Sequence, residues 1–374
     1  MVIYIFLFLV SLGLVNVLTP YSIKLAGKIG AIDIPTERKV HRIPVPRLGG
    51  LAVVLAVAVT LLLGALVNVY IAGIMETNFV GIVMGCLVIV ALGIWDDIRN
   101  LNPFIKLAGQ LVAASIAVSM GVQFELASNP LVGEMRDYFD LGMLAFPLSV
   151  LWIVGLTNAM NLIDGLDGLA SGIALFTSVT LFLLSINIEA GYVTYVYITL
   201  AGATLGFLRY NRFPAKVFLG DTGSMFSGFF LGCLSTTGFQ KSFTLSSIIV
   251  PVIIFGVPLF DSTMAVTRRY LRHKGLATAD REHLHHRLID LGLNQRQAVL
   301  LLYFVTMLLG IIAFAFTVQL NEYAAVVIVL IGVLGGLLAK ELHLFGTEPE
   351  KMDRKYRYEQ KQKSLFDEDP FSGS

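Results

Sequence analysis

From Asn158 to Gly168 the chain reads Asn-Ala-Met-Asn-Leu-Ile-Asp-Gly-Leu-Asp-Gly, with long apolar runs on either side. An ionised carboxylate beside hydrocarbon is costly unless a cation accompanies it, so a lipid-facing helix has little use for Asp164 or Asp167. Carboxylates crowded at a membrane edge, among glycines that admit backbone and ligand at close range, supply donors for a hard metal ion and a phosphorylated substrate. Asn161, Asp164 and Asp167 recur every three residues, which on a helix sets them along one slowly turning face. Capping of a helix that starts near Leu169 accounts for one of them but not for the group.

Four further stretches carry chemistry of the same kind. In Phe218-Leu-Gly-Asp-Thr-Gly-Ser224, Asp221 is a hard oxygen ligand between two glycines. Mg²⁺ takes one or two protein carboxylates and completes its shell with water and phosphate, an economy that Asn161 and Asp221 fit; helix capping by Asp221 or Thr222 is compatible with that role. Asp96 and Asp97 are adjacent acids, and their repulsion raises the proton affinity of one unless a cation compensates. That suits a proton acceptor or a metal neighbour, with a solvated helix end as the plain alternative. Lys106 offers a compact positive charge for a phosphate, or a chain that snorkels to the interface. Between Asp280 and Arg287 stand His283, His285 and His286, half of the six histidines, flanked by Arg281 and Arg287. No cysteines accompany them in a zinc pattern, leaving a pyrophosphate-binding surface or a solvated helical face. The stretch Ile32–Gly50 adds a basic, proline-rich loop for lipid head groups or a lipid phosphate, and Asp261 is a supporting acid or an interfacial one.

The elements that must position these residues are membrane spans. Hydrophobic residues make up 56% of the chain and charged residues 14%, with mean hydropathy +0.77, against about 25% charged in soluble domains. At roughly 20 apolar residues per span, eleven are expected: 2–21, 48–68, 79–95, 103–122, 143–158, 169–187, 192–208, 222–238, 243–266, 298–319 and 323–340. All but Arg136 and Lys241 of the 27 Lys and Arg then fall on one side. The positive-inside rule makes that side cytoplasmic, with the N-terminus outside and the C-terminus inside. The expectation is an all-α polytopic membrane protein: a transmembrane catalytic domain over 1–341 with cytoplasmic active-site loops, and a charged cytoplasmic tail over 342–374. The first stretch lacks a basic start and a small-residue cleavage site, and so reads as a retained span. Cys86 and Cys233 lie within apolar runs and read as packing residues. The net charge of +1 averages two sides of a membrane and points to no partner; no nucleic-acid partner is implied.

With these motifs in order from Asp33 to Leu291, the sequence resembles the polyprenyl-phosphate N-acetylhexosamine-1-phosphate transferases, glycosyltransferase family 4. The resemblance implies transfer of a sugar phosphate from a UDP-N-acetylhexosamine to undecaprenyl phosphate, releasing UMP, with Mg²⁺ as cofactor and Mn²⁺ as its substitute, at the cytoplasmic face of the cell membrane. It implies Asp96 and Asp97 as the acids that deprotonate the lipid phosphate, Lys106 as a diphosphate contact, and Asn161 and Asp221 as metal ligands. Asp164 and Asp167 match the nucleotide-sugar pocket, and His283, His285 and His286, with Arg281, match the histidine motif beside the diphosphate. The loop from Asp33 to His41, closing on Pro46-Arg-Leu-Gly-Gly50, is similar to that of the WecA-like and TagO-like branch, whose donor is UDP-GlcNAc. So is His283-Leu-His-His286, where the phospho-MurNAc-pentapeptide branch usually carries three consecutive histidines. A homodimer is expected from relatives. Direct in-line attack is the favoured route, and a covalent aspartyl-phosphate route stays open. A secondary transporter would hold its carboxylates near the bilayer midplane, and a non-catalytic scaffold would leave the acid, glycine and histidine motifs without a task.

Overall fold

A computed structural model describes residues 1–35, 43–67, 77–124, 126–128, 138–238, 246–272 and 283–319. The described residues form the helices α1 (Val2–Ile29), α2 (Gly49–Val67), α3 (Thr77–Arg99), α4 (Pro103–Ser119), α5 (Ala145–Ile163) and α6 (Leu169–Asn187). These are followed by α7 (Tyr192–Asn211), α8 (Gly220–Gly238), α9 (Ser246–Ile254), α10 (Gly256–Leu271), α11 (Leu284–Asp290) and α12 (Gln295–Gln319). Two small antiparallel ladders accompany them: β1 (Ile32–Asp33) with β2 (Val45–Pro46), and β3 (Leu126–Ser128) with β4 (Tyr138–Asp140). Among the described residues, six helical segments are long and apolar enough to cross a membrane: Val2–Ile29, Gly49–Val67, Thr77–Arg99, Gly142–Ile163, Leu169–Asn187 and Gln295–Thr317. The protein is an all-α membrane protein.

The apolar stretch expected at 243–266 is broken. Pro251 lies inside α9, and the chain restarts as α10 at Gly256, just before Pro258; proline removes a helix hydrogen bond and clashes with the preceding turn. Helix α1 runs past the expected end at 21 to Ile29, where Gly30 closes it in the left-handed region. The chain divides into a compact unit, Met1–Ala325, and a second, Val326–Ser374. The second unit, the eleventh expected span and the boundary at 341–342 lie outside the described residues.

Helix α8 is the axis of the assembly. It packs against α3, α5 and α2, and touches α6 and α7, and nearly every side chain from Thr222 to Thr236 is buried. A helix enclosed on all sides needs no polar face, but its first turn still presents N–H groups that require partners. Those partners build the site.

Candidate active site

The first turn of α8 is capped from another helix. Asp97, at the end of α3 and 3% exposed, accepts the Asp221 N–H at 2.8 Å on Oδ1; its Oδ2 takes the Thr222 N–H at 3.0 Å and hydroxyl at 2.6 Å. A carboxylate at a helix N-terminus meets both orphan donors and the positive end of the macrodipole. Gly220 makes the approach feasible: its φ is +72°, and a Cβ there would collide with the Arg47 carbonyl and crowd the Asp97 carboxylate. Asp97, not Asp221 or Thr222, supplies the cap, which leaves the Asp221 side chain for other contacts.

Those contacts draw in α4 and α5. Lys106 Nζ lies 3.2 Å from Asp221 Oδ1 and pairs closely with Asp96 Oδ2, while Asp96 Oδ1 accepts the Leu101 N–H at 2.6 Å. The Asn161 carboxamide bonds to Asp221 Oδ1 and, at 2.9 Å, to Ser224 Oγ. One turn deeper, Asn158 donates to Gln110 Oε1 at 2.6 Å, tying α5 to α4 beneath the site. Asp96, Asp97, Lys106, Asn161 and Asp221, spread over 126 positions of sequence, form one connected group.

Asp164 and Asp167 are not on a helix. α5 ends at Ile163, and residues 164–168 turn sharply before α6, with Gly168 at φ +81°. The single helical face expected for Asn161, Asp164 and Asp167 is therefore replaced by a turn that folds both acids toward α8. Asp167 Oδ2 accepts the Ala215 N–H at 2.9 Å, fastening the segment between α7 and α8. The Asp164 carboxyl is held well above its ordinary range by burial, and then by the charges of Asp221, Asp97 and Asp167.

The histidines arrive from the far end of the chain. Asp261 on α10 accepts the Leu284 N–H at 2.8 Å, capping α11, and holds His283 Nδ1 at 3.0 Å. The imidazole of His285 packs against Gly165 so closely that a Cβ there would overlap the ring. Its Nδ1 is buried without a hydrogen-bond partner among the described residues. Burial, with the neighbouring His286, lowers the His285 pKa to about 3, so it stands as a neutral imidazole at physiological pH. Arg281 lies outside the described residues.

These elements enclose a cavity of about 280 Å³, lined among others by Asp97, Asn161, Asp164, Asp167, Asp221 and His286. Asp96, Lys106, His283 and His285 stand behind that wall. Lining residues not singled out as site candidates from sequence include Asn211, Gln295 and the pair Asp33 and Arg47, joined at 2.7 Å beside the β1–β2 ladder. Arg47 Nη1 also donates to Asn100 at 2.8 Å. Their pairing spans a loop, and only the basic, proline-rich character of Ile32–Gly50 pointed toward it. The cavity presents five carboxyl groups and one guanidinium, an excess of negative charge suited to a divalent cation. Among the described residues no three His, Cys, Asp or Glu side chains form a ready-made metal cage. Asp221 and Asn161 offer the one or two protein oxygens that a cation such as Mg²⁺ would take, its shell being completed by water and phosphate.

Apolar helices that gather acids around a cavity at one end of the bundle, with a lysine behind its wall, define a membrane enzyme handling charged groups. Residues 79–239 match the family described as "Glycosyl transferase family 4". The chain is 42% identical over 306 residues to the "Probable undecaprenyl-phosphate N-acetylglucosaminyl 1-phosphate transferase" of Bacillus subtilis (strain 168), covering 82% of this chain and 83% of that protein. It is 37% identical over 310 residues to the "Decaprenyl-phosphate N-acetylglucosaminephosphotransferase" of Mycolicibacterium smegmatis, covering 78% and 75%. It is 32% identical over 284 residues to a "Phospho-N-acetylmuramoyl-pentapeptide-transferase" of Clostridium botulinum, covering 72% and 81%. The chain belongs to glycosyl transferase family 4, in its WecA/TagO-like branch, and is a phosphoglycosyl transferase.

Proposed function

We propose that the protein transfers N-acetylglucosamine-1-phosphate from UDP-GlcNAc to undecaprenyl phosphate, giving undecaprenyl-diphosphate-GlcNAc and UMP as a membrane step in making a cell-envelope glycan. The observation that carries this reading is the convergence of Asp97, Asn161 and Asp221, from three helices, on one cavity wall, with Lys106 of a fourth helix paired to Asp221 behind it. The names of the Bacillus and Mycolicibacterium relatives support the sugar and the polyprenyl acceptor.

The reaction asks two anions to meet. An oxygen of the lipid phosphate attacks the β-phosphorus of the UDP-sugar, forming the new P–O bond as the bond to UMP breaks and UMP leaves with the electron pair. Asp221 and Asn161 would hold Mg²⁺, which when bound supplies positive charge to the diphosphate and to the departing UMP. Lys106 adds a fixed cation beside Asp221, just behind that wall. Of the acidic pair, Asp97 lines the cavity and is the member placed to keep the attacking phosphate deprotonated, while Asp96 orients Lys106. Asp164 and Asp167 face the nucleotide sugar. His286 meets the diphosphate from α11, and Asp261 steadies that helix and His283.

In this reading the chain crosses the plasma membrane eleven times, with its N-terminus outside, its catalytic domain over 1–341, its tail over 342–374 and its cavity facing the cytoplasm. It works as a homodimer. The test is purified protein with Mg²⁺, undecaprenyl phosphate and labelled UDP-GlcNAc, UDP-GalNAc or UDP-MurNAc-pentapeptide, scored for UMP and labelled lipid. The expected result is label in lipid from UDP-GlcNAc alone. Transfer only from UDP-MurNAc-pentapeptide, or no transfer from any donor, would overturn the assignment.

A further inference from the structure

Asp167 also lines a second, wider groove of about 780 Å³, bounded by α7, the segment before α8 and α12. Four cations border it: Arg209 and Arg212 at the end of α7, Lys216 beyond it, and Arg296 in the first turn of α12. None of the four forms an ion pair among the described residues. The one carboxylate in the groove, Asp167, is engaged by the Ala215 N–H. Aromatic rings hold two of the guanidinium groups, Arg296 lying 5.5 Å from the centre of Phe213 and Arg209 6.0 Å from Tyr210. The remaining wall is apolar, with Leu208, Val299 and Leu300, the last 63% exposed. Because α12 begins a candidate membrane span at Gln295, a bilayer around that span would set Arg296 at its edge and Val299 and Leu300 toward its hydrocarbon.

Charge at one end and hydrocarbon along the other is the complement of an anionic lipid, and basic pockets between spans recognise such head groups. We propose that this groove binds one anionic phospholipid, with its phosphate among Arg209, Arg212, Lys216 and Arg296 and an acyl chain along Leu208, Val299 and Leu300. The segment that lines the groove with Phe213 and Lys216 continues to Phe218 and Gly220 in the wall of the aspartate cavity. A bound lipid therefore steadies that wall from outside.

The experiment is native mass spectrometry of the full chain in neutral detergent, titrated with phosphatidylglycerol, phosphatidylcholine, undecaprenyl phosphate or inorganic phosphate. The expected result is one phosphatidylglycerol retained per chain in preference to phosphatidylcholine. Arg212→Gln combined with Arg296→Gln should weaken that retention on the order of thirtyfold, at about fivefold per basic residue near the surface. Should the double variant not fold, Lys216→Gln alone should weaken it about fivefold. Equal retention of phosphatidylcholine, or undiminished binding in a folded variant, overturns the proposal. So does displacement by inorganic phosphate, which would mark a free-anion site, or by equimolar undecaprenyl phosphate, which would assign the groove to the acceptor.

Discussion

Replacing Asp97 by Asn tests whether the acid of α3 both holds α8 and serves the chemistry. The wild-type carboxylate takes three donors at 2.6–3.0 Å from Asp221 and Thr222 while 3% exposed. An amide keeps one acceptor oxygen. Placed toward Thr222, that oxygen saves two bonds but turns an NH₂ against the Asp221 N–H; placed the other way it loses both Thr222 bonds. The favourable orientation still loses one charge-assisted bond and strands a buried donor, for about 2–4 kcal/mol of stability. The Asp221 backbone then loses its anchor, so turnover falls with the melting temperature. Both are measured on the same detergent-purified samples, with Thr222→Val as the control that removes only the hydroxyl bond to Asp97, expected to cost about 1.5–3 kcal/mol. Asp97→Asn protein that melts like wild type while turnover collapses would refute the capping argument and leave only a chemical role. Wild-type values for both would refute the whole account of this residue.

Asp221→Asn should nearly abolish Mg²⁺-dependent turnover, and normal activity in that variant would remove the metal assignment. Gly220→Ala forces a side chain into the left-handed region, at about 1–2 kcal/mol for the backbone alone, and drives a methyl into the Arg47 carbonyl; a folded, fully active variant would show that the cap tolerates rearrangement. Gly165→Ala forces the buried His285 ring to shift, so turnover should drop and the melting temperature should fall with an overpacking cost of about 1–3 kcal/mol; a variant unchanged in both would refute the close contact. His285 has a folded pKa of about 3 against an ordinary value of 6.5, so between those pH values the unfolded chain binds the extra proton. Its contribution to stability is present above pH 6.5 and is lost as pH falls toward 3. His285→Gln should flatten that part of the melting-temperature profile, and an unchanged slope would refute the buried neutral imidazole.

Much of the fold was legible because apolar length alone announces a span. The runs at 48–68, 79–95 and 169–187 returned as α2, α3 and α6 with ends shifted by a few residues or less. The break at Phe255 was signalled by Pro251, Gly256 and Pro258, but a hydropathy window averages over such punctuation. Polar residues at the ends of spans marked most of the site, since carboxylates there have few structural uses. Their partners were not legible. That Asp97 would cap α8, that Asp33 would pair with Arg47, or that Asp261 would hold His283 depends on contacts between segments, and neither spacing nor period encodes them. The shared helical face that Asn161, Asp164 and Asp167 would have on a helix does not form, because α5 ends at Ile163.

The hydrogen bond from Asp97 to the Asp221 amide joins residues 124 positions apart. During synthesis the end of α3 therefore reaches the bilayer well before the groups that will occupy its lone pairs exist. Until then this acid must stay hydrated, because hydrocarbon would penalise it. The mouth of the cavity is thus finished late, when α8 joins helices made before it, and a ribosome stalled before residue 222 would leave that end of the bundle open to water.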